Sequence, residues 1–135
     1  MSKEKNRSVS PVDMMQPVGA YSQAVWEPAG RTLHIAGQTG VTKDKRLPGD
    51  GGIEAQTQQL FENLKLILEA AGGDLSSIVS TTVYLTDIKD NEAFNTVRAK
   101  YFENMLPPTS TLLVVSQLFT KALLVEITAV AVVPQ

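Results

Sequence analysis

The sequence predicts an α+β domain in which two helices cover one face of a mixed, five- to six-stranded sheet. Three observations lead there. Residues 123–133, LLVEITAVAVV, form an apolar, β-branched run without Gly or Pro, long enough for one long strand. Two segments, 53–71 and 91–104, carry apolar residues at helical spacing. Shorter β-branched runs bounded by Gly and Pro lie before and between them.

Positions 1–16 read as a polar, Pro-containing tail or a weak first strand, and 17–135 as a single domain. Residues 19–26 precede a turn at 28–30, and 32–36 (TLHIA) return from it, so the two resemble a hairpin. The second strand ends at Gly37, Gln38, Thr39 and Gly40, and a Gly-, Lys-, Asp- and Pro-containing loop covers 41–52. Leu60, Phe61, Leu64, Ile67, Leu68 and Ala71 share one helix face, and Gly72-Gly73 stops that helix. Residues 78–87 (IVSTTVYLTD) form a strand. The second helix has Asp90 as its expected N-cap and Phe94, Val97, Tyr101 and Met105 as its stripe, and Pro107-Pro108 ends it. A strand over 109–118 then leads into the last one.

In that last strand, alternation places Val125, Ile127, Ala129, Ala131 and Val133 on one face, with Leu124, Glu126, Thr128, Val130 and Val132 on the other. With both faces largely apolar, the strand is expected to be central and covered on both sides. Two helices cover only one face, and nothing else in the chain covers the second. A homo-oligomer in which sheets pack together is therefore expected. Glu126 is the one ionisable group in the run. A desolvated carboxylate is a candidate for proton transfer, with a structural hydrogen-bond hub through Thr128 as the alternative.

Composition removes several function classes. There is no cysteine, so disulfides, thiolate metal sites and a cysteine nucleophile are absent. A single histidine, His34, leaves no multi-histidine zinc site and reads as a structural or interface imidazole. Net charge is −2, with no basic cluster beyond Lys43, Lys45 and Arg46, which makes nucleic acid an unlikely partner. No apolar stretch is long enough for a membrane-spanning helix and the first residues lack a signal-type apolar core, so a cytoplasmic location is expected.

The chain resembles the Rid proteins, reactive intermediate imine/enamine deaminases also called endoribonuclease L-PSP, over roughly 18–132. The resemblance runs through Gly19-Ala20-Tyr21-Ser22-Gln23, Ala36-Gly37-Gln38, Asn63-Leu64 with Ala70-Ala71-Gly72, and Thr81-Thr82-Val83-Tyr84-Leu85. It continues in Phe94-Asn95, Tyr101-Phe102, Pro108-Thr109-Ser110-Thr111 and Val125-Glu126-Ile127. It implies a chorismate-mutase-like fold, a homotrimer, ligand sites in the clefts between subunits, and hydrolysis of a small imine or enamine with neither metal nor organic cofactor. It also implies Glu126 as the catalytic residue and Tyr21, Gly37, Asn95, Ser110 and Thr111 as substrate-binding positions.

Two of the family's site residues are replaced. The serine before Gly37 is Ala36, and the arginine expected after Pro108-Thr109 is Ser110, or Thr109 if Pro107 is the anchor. A guanidinium binds a carboxylate through charge-assisted bonds worth about 1.5–3 kcal/mol. Without one, 2-aminoacrylate-type carboxylates are not the expected substrates. Arg31, Arg98 and Lys121 could reach in from a neighbouring subunit, though a solvated surface position is the ordinary state of each. Tyr21 can close over a ligand or fill core space, Gly37 can present backbone N–H groups or serve only conformation, and Asn95 lies off the apolar stripe. A non-catalytic trimer that binds a metabolite or regulates a partner is the alternative function; RNA cleavage lacks a basic groove.

Overall fold

The run at 123–133 becomes the inner strand of a four-stranded sheet in the computed structural model, which describes residues 7–135. In chain order the elements are β1 (Ser8–Val9), β2 (Ala24–Val25), β3 (Arg31–Thr39), α1 (Ile53–Ala70), β4 (Ile78–Leu85), α2 (Asn91–Tyr101), β5 (Thr109–Val114) and β6 (Val125–Val133). The sheet order is β3-β6-β4-β5. β6 runs antiparallel to both neighbours, whereas β4 and β5 are parallel because α2 carries the chain back between them.

Both helices lie on one face, as the spacing requires. Leu60, Phe61, Leu64 and Leu68 of α1 and Phe94 and Val97 of α2 are buried, together with Val125, Ile127, Ala129 and Ala131 of β6. Phe61 stacks on Tyr101 at 4.8 Å and meets Phe102 edge-on at 5.7 Å, which ties the helices to each other. α1 ends where the glycines are: Gly72 takes φ +88°, and the Gly73 N–H returns to the Leu68 carbonyl at 2.8 Å.

Several boundaries differ from expectation. The sheet has four strands, and the remaining two form a separate ribbon. The expected hairpin is not made: β2 pairs antiparallel with β1 and β3 pairs with β6. Pro28 interrupts the ladder after Val25, and Gly30 at φ +154° brings the chain so close to β6 that a Cβ would stand 2.5 Å from the Val133 carbonyl oxygen. The first six residues of the expected tail, positions 1–6, lie outside the described residues. β5 stops at Val114, since Leu113 and Val114 are exposed on a sheet edge and nothing packs there to extend it. α2 ends at Tyr101, before Asn104 takes a left-handed conformation. Asp90 makes no side-chain cap, because a 3₁₀ turn (Ile88–Asp90) leads directly into α2; Asp87 caps that turn instead, accepting from the Lys89 N–H.

Within one chain the second face of β6 carries no covering layer. Glu126, Thr128 and Val130 are only half-buried, and His34 opposite Val130 is exposed. No described helix of this chain is long and apolar enough to cross a membrane.

Candidate functional site

All but one of the expected site residues fall into two groups on opposite faces of the sheet. Glu126 projects from β6 on the uncovered face, level with Thr39 of β3 and Tyr84 of β4. The register shift between Ile35 and Gln38 brings Gly37 directly against it: a Cβ on Gly37 would stand 2.1 Å from Glu126 Oε2. Only a glycine leaves that space to the carboxylate. The two residues share a cleft of about 420 Å³ with Val41, Lys45, Leu47 and Phe119. Its walls are mostly apolar, and Phe119 is 91% exposed. Among the described residues no ion pair holds the Glu126 carboxylate, and no side-chain hydrogen bond joins it to Thr128, the alternative hub.

Amides from α1 fix both walls of this cleft. Asn63 Nδ2 donates to the carbonyls of Thr39 (3.1 Å) and Val41 (2.9 Å). Gln56, fully buried, donates from Nε2 to the Ala122 carbonyl and accepts at Oε1 from the Leu124 N–H, each at 2.9 Å. Sequence reasoning missed Gln56, yet the signal was present: it lies one helical turn before Leu60, on the stripe that must be buried.

The second group assembles behind β5. Ser110 faces α2, and its Oγ accepts from Arg98 Nη1 at 3.0 Å. Arg98 Nη2 donates to Asn95 Oδ1 at 2.5 Å. The guanidinium carbon lies 5.0 Å from the Phe94 ring centroid and 5.7 Å from that of Tyr21. Ser22 anchors the segment carrying Tyr21, donating from Oγ to the Pro107 carbonyl and from its N–H to the Pro108 carbonyl.

Arg98 corrects the expectation of a solvated side chain. It is 6% exposed, because it stands one turn after Phe94 and therefore on the buried stripe of α2. A charge in that stripe was the signal in the sequence. Ser110 is thus bonded to a guanidinium from the same chain. Burial pushes the Arg98 pKa below its ordinary value, partly offset by Tyr21. Thr111 joins neither group; it is exposed on the uncovered face opposite Thr82.

One chain does not bring the groups together. Thr81 pairs with both Ser110 and Ala129, three residues beyond Glu126. Ser110 and Glu126 are therefore about 10 Å apart across the strands and about 10 Å apart along them, on opposite faces.

Comparisons with known proteins agree with this architecture. Residues 12–133 match the family model described as endoribonuclease L-PSP. A RutC family protein of Saccharolobus solfataricus is 42% identical over 86% of this chain and 89% of its own length. The human 2-iminobutanoate/2-iminopropanoate deaminase is 34% identical over 98% of this chain and 93% of its own. Among solved structures, a Rid-family protein of unknown function from Yersinia pestis superposes with a TM-score of 0.87 at 32% identity, covering 94% of this chain and 98% of that one. The two helices on a mixed sheet are the chorismate-mutase-like fold of these proteins, and the chain belongs to the endoribonuclease L-PSP, or Rid, family.

Proposed function

We propose that this protein is a hydrolytic deaminase of a small imine or enamine, and that its site forms where the Glu126 cleft of one copy meets another copy in a homotrimer. The observation that carries this reading is the Glu126 carboxylate seated against Gly37 in a mostly apolar cleft. A second copy covering that cleft would desolvate the carboxylate, as proton transfer requires. The naming of human and rat relatives as 2-iminobutanoate/2-iminopropanoate deaminases supports the reaction class.

The chemistry asks little more of the chain. Protonation of an enamine carbon gives an iminium ion. Glu126, having given that proton and now a carboxylate, takes a proton from water as the oxygen adds to the C=N carbon, returns it to nitrogen, and accepts the hydroxyl proton as the carbinolamine collapses to the carbonyl and ammonia, which restores the acid. The Gly37 backbone lies beside the carboxylate, and a backbone N–H turned into the cleft would stabilise charge on the attacking oxygen. A carboxylate-bearing imine would need a guanidinium beside Glu126, and within one chain Arg98 lies on the opposite face of the sheet.

Ala36, where the family's serine would stand, favours a second reading in which the same cleft binds a metabolite without turning it over. Replacement of Glu126 by Gln separates the two. Hydrolysis of 2-iminobutanoate, generated in situ and followed by ammonia release, should fall about 10²–10⁴-fold with ligand binding retained. Unchanged turnover would reduce Glu126 to scaffold, and no turnover by the unmodified protein would leave the binding reading.

A further inference from the structure

We propose that Phe119 is a specificity-determining residue of the Glu126 cleft, selecting imines or enamines whose reacting carbon carries a branched aliphatic or aromatic group rather than a methyl or ethyl group. The inference rests on the reading of that cleft as an imine-hydrolase site and names the side-chain class of its substrate.

Exposure is the first observation. Phe119 is 91% exposed, more than any other large apolar residue among those described. A scattered surface aliphatic is ordinary, but an aromatic ring left in water on the wall of an apolar cleft forgoes the burial that drives aromatic packing. The loop that carries it is held at both ends. The Val115 N–H donates to the Leu85 carbonyl at 2.8 Å, and the buried Gln56 amide bonds to the Ala122 carbonyl and the Leu124 N–H at 2.9 Å each. Phe119 is thus offered from a fixed frame, and its ring brings a large contact area with few side-chain torsions to freeze.

The other walls match it. A hydrogen bond of 2.8 Å from the Thr42 N–H to the Arg46 carbonyl closes a turn, and Val41 and Leu47 flank that turn on the cleft. Leu123, 7% exposed, adds a third aliphatic surface. Lys45, which also lines the cleft, is exposed, so its ammonium stays hydrated while the apolar walls close on a substituent. The volume of about 420 Å³ lies within the range of roughly 300–1,000 Å³ typical of ligand pockets. A methyl or ethyl group beside Glu126 would leave most of these walls wet. A branched or aromatic group would cover them, and each additional methylene buried is worth roughly fourfold in binding.

Two measurements test this, one on turnover and one on binding. The value of kcat/KM for 2-imino-4-methylpentanoate should exceed that for 2-iminobutanoate by about 10-fold, with most of the difference in KM. Phe119→Ala should bring that ratio below about threefold and Phe119→Leu should keep most of it, at a position whose exposure spares folding. Binding is read with ketones, which carry the same substituents and no reacting nitrogen. By NMR titration 4-methylpentan-2-one should bind about 10-fold more tightly than butan-2-one and shift the signals of Val41, Leu47, Phe119 and Leu123. Equal binding of the two ketones, shifts confined to other residues, or an unchanged substrate ratio in Phe119→Ala would each overturn the assignment. So would a Phe119→Ala protein that slows equally on both imines and elutes at a smaller size, which would make Phe119 a contact between copies. Failure to hydrolyse any imine would defeat the hydrolase reading, and the two ketones would then decide this one alone.

Discussion

Gly37 and Gly40 stand close together in the chain and are both crowded, yet their substitution should have opposite consequences. A Cβ on Gly37 meets the far end of the Glu126 side chain at 2.1 Å, whereas a Cβ on Gly40 meets the backbone carbonyl of Gln56 at the same distance. A carboxylate can swing aside, but the first turn of a packed helix cannot. Gly37→Ala should therefore keep its thermal midpoint and lose turnover about 100-fold through misplacement of the carboxylate. Gly40→Ala should lose about 1–3 kcal/mol of stability in urea unfolding. Glu126 was legible as a candidate because a lone carboxylate in an apolar strand stands out. The burial of Arg98 was not, because the family's pattern drew attention to Ser110, while Arg98 lies twelve positions earlier, on a helix stripe where a charge reads as solvated.

Helices were the most legible elements. The apolar stripe of α1 and the glycines that stop it could be read directly, since helical period and left-handed caps are local properties. The ribbon of β1 and β2 could not, because pairing Ser8 with Val25 across the intervening loop leaves no trace in either short strand. The contact between α1 and α2 yields its own prediction. The Tyr101 hydroxyl donates to Glu62 Oε2 at 2.8 Å, and its pKa is pushed up to about 12 by desolvation, with the Glu62 hydrogen bond and charge adding to it. The folded state thus holds the phenolic proton more tightly than the unfolded chain does. That contribution to stability is fully present below pH 10 and is lost as pH rises towards about 12. Unfolding of Tyr101→Phe should lack this alkaline component, and identical pH profiles for both proteins would show that the pair adds nothing.

At the scale of the whole molecule, the uncovered face and the divided site point to the same arrangement. The sequence indicated that β6 needed cover on both faces, and one chain supplies it on one. Which residues meet across such a seam was not legible, because it depends on strand order and register, neither of which hydropathy specifies. Glu126 and Arg98 of one chain lie too far apart, and on opposite faces, to hold one small substrate, so a site that used both would need two copies. Mixing subunits tests this directly. Glu126→Gln and Arg98→Met proteins, each expected to be impaired alone, are unfolded together, refolded at equal concentration and assayed for 2-iminobutanoate hydrolysis. In randomly mixed trimers, about one quarter of the seams combine an intact Glu126 with an intact Arg98 from the adjacent copy, so about a quarter of the unmodified activity should return. Hybrid trimers visible by native mass spectrometry but without activity would contradict a site shared between copies.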